Sequence, residues 1–167
     1  KDLRNECIFT IDGEDAKDLD DAVSIKRLED GYYELGVHIA DVSHFVKENS
    51  KVDKEALERG TSVYLIDTVL PMLPFKLSND LCSLNPNTDR LTLSVLMKIN
   101  PDGEVVEHQI FESVISSKAK LHYKEVTEFL EGRNASFALK YPDLVESLQS
   151  MKELALILMK KREKRGT

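Results

Sequence analysis

The sequence is poor in the residues that staple a chain or anchor it in a membrane. It has no tryptophan, and its two cysteines, Cys7 and Cys82, stand 75 positions apart. That spacing builds neither a disulfide framework nor a zinc knuckle, which makes a reducing compartment the default. No run approaches the roughly 18 apolar residues needed to span a bilayer. The first residues, Lys1-Asp2-Leu3-Arg4-Asn5-Glu6, lack the apolar stretch of a signal peptide. A secreted or membrane protein is therefore not expected, and the cytoplasm is the expected location. Basic residues are also in the minority, 23 against 30 acids, for a formal net charge of −7. Taken whole, that balance argues against a nucleic-acid partner, because phosphate binding runs on clustered Lys and Arg.

What remains is ordinary for a soluble globular domain: 167 residues, 41% hydrophobic and 32% charged. The length suffices to bury a core. The charge, however, is unevenly placed. Residues 12–21 hold six acids against one base, whereas 152–165 hold six bases against two acids.

The first half reads as strands. Residues 7–11 form a short apolar run, and residues 22–28 and 32–40 flank Asp30-Gly31, a strong hairpin signal. Ser50 as cap and Gly60 as stop predict a short helix between them. Residues 61–66 are a candidate strand. Leu70-Pro71-Met72-Leu73-Pro74-Phe75 is apolar but twice interrupted by proline, so it is expected to be an extended segment packed on the core rather than a ladder strand. Two longer strands, 91–99 and 104–116, flank Asn100-Pro101-Asp102-Gly103. Beyond Tyr123 the apolar period becomes helical, ending in a basic last turn, Lys160 to Arg165. The expected class is α+β, a mixed and largely antiparallel sheet flanked by helices.

The informative feature is the set Asp12, Asp18, Asp20 and Asp21. Four carboxylates within ten residues repel one another, and a divalent cation or a shared proton relieves that repulsion. Oxygen-only donors suit a hard metal, Mg²⁺ or Mn²⁺. Phosphodiester hydrolysis uses such a set, because a metal held by carboxylates activates water and neutralises charge on the phosphate. A solvated acidic turn is the plain alternative. A calcium loop of the EF-hand type fails, since loop position 5, which must supply an oxygen ligand, falls on Ala16 or Ala22 in the two possible registers.

The residues from Thr10 to Ala22 resemble the aspartate motif of the RNB catalytic domain of the ribonuclease II and ribonuclease R family. The resemblance continues in order through Gly36 to Val46, Arg59 to Leu65, Leu70 to Pro74 and Leu77 to Leu84. It runs from about Ile8 to the end of the chain and lies nearer to ribonuclease R. It implies a processive, hydrolytic 3′→5′ exoribonuclease that takes the 3′ end of single-stranded RNA and releases nucleoside 5′-monophosphates with Mg²⁺, for which Mn²⁺ can substitute. By the same resemblance, Asp12 and Asp21 hold a metal against the scissile phosphate, while Asp18 and Asp20 support a second metal and position the terminal nucleotide. Tyr64 matches an aromatic residue that stacks on RNA, a contact worth about 1–3 kcal/mol per base, with a core tyrosine as the alternative. Tyr123 matches a second RNA-contacting tyrosine.

His38 and His44 are left out of the catalytic set, since a strand-borne histidine among apolar neighbours is more often a structural hydrogen-bonder and metal-assisted hydrolysis needs no histidine base. The terminal basic run is assigned to the helix dipole rather than to phosphate. The resemblance further implies cold-shock domains, an S1 domain and a second half of the catalytic domain. None of them is visible in this sequence, so the chain is expected to be the N-terminal half of an RNB catalytic domain, with little activity alone. The competing expectation is an RNA- or protein-binding module with a non-catalytic acidic loop.

Overall fold

A computed structural model describes residues 1–166. Its centre is a four-stranded antiparallel sheet in the order β2-β3-β6-β7, formed by β2 (Asp21–Arg27), β3 (Tyr33–Ala40), β6 (Asp89–Ile99) and β7 (Val105–Ser116). The β2–β3 hairpin pairs Asp21 with Ile39 and Arg27 with Tyr33. At its tip, Asp30 (φ 56°) and Gly31 (φ 76°) both take the left-handed conformation, and the Tyr32 N–H donates to the Glu29 carbonyl. Positive φ at both central residues gives the turn the twist that suits its strands. At the β6–β7 turn the Asn100 side chain accepts from the N–H groups of Asp102 and Glu104.

The first strand behaves differently. β1 (Thr10–Asp12) runs parallel to β8 (Lys120–His122), with Asp12 paired to His122, while Phe9 bridges back to Val23 of β2. Between β3 and β6 lie α1 (Val42–Phe45), α2 (Lys51–Arg59) and a small ribbon of β4 (Val63–Tyr64) and β5 (Val69–Leu70). Ser50 caps α2 by accepting from the Asp53 N–H at 3.1 Å, and Gly60 ends it at φ 71°. The expected strand 61–66 shortens to two residues. The segment after it also departs from expectation: Leu70 joins the ribbon opposite Val63, and Phe75 is 54% exposed, while Met72 and Leu73 are half-buried. Pro71 follows directly and offers no N–H, which prevents the ladder from extending through it.

The chain closes with α3 (Tyr123–Leu130), α4 (Ser136–Lys140) and α5 (Val145–Lys164). One apolar cluster joins Ile8, Leu19, Ala22, Ala40, Cys82, Leu84 and Ile115. A second packs Phe9 and Leu121 against Val126, Phe137, Leu144 and Leu148. A third sets Leu154 of α5 against Ile25, Tyr33 and Ile99. No helix among the described residues is long and apolar enough to cross a membrane.

Within the sheet runs a buried polar network. His38 bonds through Nε2 to Ser24 Oγ at 3.0 Å and through Nδ1 to Ser94 Oγ at 2.7 Å, and Ser94, Ser113 and Thr92 continue it. Burial pushes the His38 imidazole down to about 4, so it is neutral at pH 7. Gly36 makes room for it, because a Cβ there would collide with Ser24 Oγ and His38 Nε2.

Candidate functional site: the aspartate loop

Asp12 ends β1 and Asp21 begins β2, so the loop between them carries Asp18 and Asp20 across the end of the sheet. Its backbone is fastened from three directions. The Ala40 N–H of β3 donates to the Asp20 carbonyl at 2.9 Å. From β8, the Lys120 ammonium donates to the carbonyls of Ala16 at 2.6 Å and Glu14 at 3.3 Å. From the segment before β6, the Ser83 hydroxyl donates to the Lys17 carbonyl at 2.8 Å and accepts from the Leu19 N–H at 3.1 Å. The Leu84 N–H then donates to the Leu19 carbonyl at 2.9 Å. The Leu19 side chain itself is buried in the core. The residues on either side of it, Asp18 and Asp20, are exposed and border a cleft of about 330 Å³ lined also by Ile39, Ser62, Met72 and Cys82.

Electrostatically the acids are uncomfortable. Partial desolvation by the surrounding atoms raises the Asp20 carboxyl above its ordinary value, although the residue is exposed, and the charges of Asp18, Asp21 and Asp12 raise it further. Asp12 is also raised, by burial first, and the Asp21 charge adds to that shift. Asp12 and Asp20 therefore each lie within electrostatic reach of the other acids of the set. Asp12 Oδ2 is buried without a hydrogen-bond partner, as are Thr10 Oγ1 of the same strand and His122 Nδ1 of the paired residue. Buried polar atoms are ordinarily paired, so an orphaned carboxylate oxygen here is the chemistry that a bound cation or a proton would satisfy. Among the described residues, no three His, Cys, Asp or Glu side chains form a group that could hold a metal ion. The donor chemistry of the loop fits a hard divalent cation, while the carboxylates do not converge on a single point.

Tyr64, on the β4–β5 ribbon, reaches the loop: its hydroxyl donates to Asp18 Oδ2 at 3.0 Å. That bond, and then the Asp18 charge, hold its phenol above the ordinary value. The ring is 68% exposed, so it is not a core tyrosine. With Lys17, Phe75 and Lys120 it lines a second, larger cleft of about 780 Å³ that also borders Asp18. Tyr123 stands one residue beyond the Asp12–His122 pairing, at the start of α3, and is 62% exposed. His44 is an exposed α1 residue whose ring meets Phe45 edge-on, and His38 is committed to the sheet network. Sequence reasoning missed Ser83, Lys120 and His122. The only signals were that Ser83 falls inside the block Leu77 to Leu84 and that Lys120 and His122 precede the matched Tyr123.

The RNB domain model matches residues 1–167. The chain belongs to the RNB domain family. It is 57% identical over 166 residues to ribonuclease R of Thermotoga maritima, covering 99% of this chain and 23% of that protein. Among solved structures, Mycoplasma genitalium RNase R in complex with ribose-methylated single-stranded RNA superposes with a TM-score of 0.89 at 33% identity, over 99% of this chain and 25% of that one. Yeast Ssd1, described as a pseudonuclease, matches with a TM-score of 0.76 at 25% identity, over 94% of this chain and 18% of that one. The chain thus spans about a quarter of the length of the curated relatives it matches, and the α+β architecture is that of an RNB domain.

Proposed function

We propose that these residues form the acidic, metal-binding part of the active site of a processive 3′→5′ exoribonuclease. It acts on the 3′ end of single-stranded RNA and releases nucleoside 5′-monophosphates. The observation that carries this reading is a loop fixed on three sides that presents four carboxylates, two of them, Asp12 and Asp20, raised by desolvation and by the neighbouring acids, with Asp12 Oδ2 buried and without a hydrogen-bond partner. Asp12 and Asp21 would hold Mg²⁺ against the scissile phosphate, with Asp18 and Asp20 supporting a second ion and the terminal nucleotide. Mg²⁺, or Mn²⁺ in its place, supplies charge neutralisation at the phosphate and a lowered pKa for the attacking water.

The chain's own residues hold and orient. Lys120 and Ser83 fix the loop backbone, and the Tyr64 hydroxyl orients Asp18. The exposed Tyr64 and Tyr123 rings offer surfaces on which bases stack. The chain spans about a quarter of the length of its curated relatives, and the isolated chain is expected to degrade RNA poorly. RNA binding without catalysis is the second reading, favoured by the pseudonuclease neighbour, since that likeness separates this fold from the chemistry.

Asp21→Asn in a full-length enzyme carrying this segment tests the assignment. Cleavage should fall by about 10²-fold or more with RNA affinity retained. Full activity in the variant would exclude Asp21 from the catalytic set.

A further inference from the structure

We propose that Ser83 is a positioning residue for the aspartate loop, its hydroxyl setting the directions of the Asp18 and Asp20 carboxylates. The proposal rests on the metal-site reading above and adds a residue to it. Ser83 is fully buried, and its single hydroxyl bridges two backbone groups on either side of Asp18, the Lys17 carbonyl and the Leu19 N–H. One residue later, the Leu84 N–H takes the Leu19 carbonyl. Leu19 therefore has both of its main-chain groups paired as if beside a strand, with the Ser83 hydroxyl in the place a strand carbonyl would occupy.

Ser83 is itself held. Arg90 Nε donates to its carbonyl at 2.8 Å, and Arg90 Nη2 reaches Asp80 Oδ1 at 3.2 Å. The consequence is directional. With Leu19 pinned and its side chain in the core, the residues before and after it face outward into one cleft. Without the hydroxyl, the buried Leu19 N–H loses its partner and the loop has a reason to reorganise.

The test uses the full chain with Ser83→Ala, and Ser113→Ala as a control that removes a buried serine hydroxyl from the remote sheet network. Three readouts are taken: Leu19 amide exchange, the ¹³C shifts of the Asp18 and Asp20 carboxyls without metal, and Mn²⁺ affinity. Both variants should lose comparable thermal stability. Only Ser83→Ala should speed Leu19 exchange beyond the global change, shift both carboxyls and weaken Mn²⁺ binding by about 10- to 100-fold, the scale for groups that orient ligands. Ser83→Cys, a weaker donor of similar volume, should fall between and serves if the alanine variant does not fold. Unchanged Leu19 exchange and carboxyl shifts would overturn the proposal. A wild-type chain that takes no Mn²⁺ would instead sink the metal reading, and Ser83 would then be decided by the exchange and carboxyl shifts alone.

Discussion

The molecule contains two polar clusters that obey opposite rules. In the sheet, His38 and the hydroxyls of Ser24, Ser94, Thr92 and Ser113 are buried or half-buried, carry no charge at pH 7 and satisfy one another. In the aspartate loop the backbone is held but the carboxylates crowd one another: desolvation and the neighbouring acids raise Asp12 and Asp20, and the buried Asp12 Oδ2 has no hydrogen-bond partner. The first cluster is what a fold does with polar atoms it must bury. The second is costly to the free protein, and such cost persists where a ligand removes it. A histidine draws attention as chemistry more readily than a turn rich in Asp and Gly, yet here the histidine is bound on both ring nitrogens and the turn is the functional candidate.

Breaking the satisfied cluster should have the larger effect on stability. Ser94→Ala strands His38 Nδ1 and costs about 1–3 kcal/mol in chemical denaturation. A loss near zero would mean that the network is not tight. Acid should act on the same cluster. Because the folded His38 pKa lies near 4, below the usual 6.5, the unfolded chain binds more protons between those values. His38 therefore stabilises fully above about pH 6.5, and that stability is lost as pH falls towards 4, about 1–3 kcal/mol in all. Denaturation midpoints in that window should slope in the wild type and flatten in His38→Gln.

The unsatisfied cluster has the opposite sign. Asp20 is raised in the fold, so above its ordinary pKa its ionisation opposes folding, and the cost grows until pH passes the raised folded value. Asp20→Asn should therefore stabilise the metal-free chain, by less than about 1 kcal/mol because the group is exposed. Added Mn²⁺ should raise the wild-type melting temperature more than the variant's.

Much of the fold was legible in local signals. Asp30-Gly31 and Asn100-Pro101-Asp102-Gly103 marked the two long hairpins, and Ser50 with Gly60 bounded α2. The partner of β1 was not legible, because β8 lies some hundred residues away and a parallel pair leaves no turn between its strands. The same limit applies to the site. The four aspartates announce themselves by density and by resemblance, but the groups that hold them, Ser83 and Lys120, act across long sequence separations through backbone bonds that leave no pattern in composition.

The most direct measurement of the central claim is an anomalous-diffraction map of crystals grown with Mn²⁺. Anomalous density is expected at this loop, one peak beside Asp12 and Asp21 and a second beside Asp18 and Asp20, with carboxylate oxygens about 2.1 Å from each ion, as hard six-coordinate cations require. A well-ordered loop with no anomalous peak beside these four residues at saturating Mn²⁺ would contradict that claim.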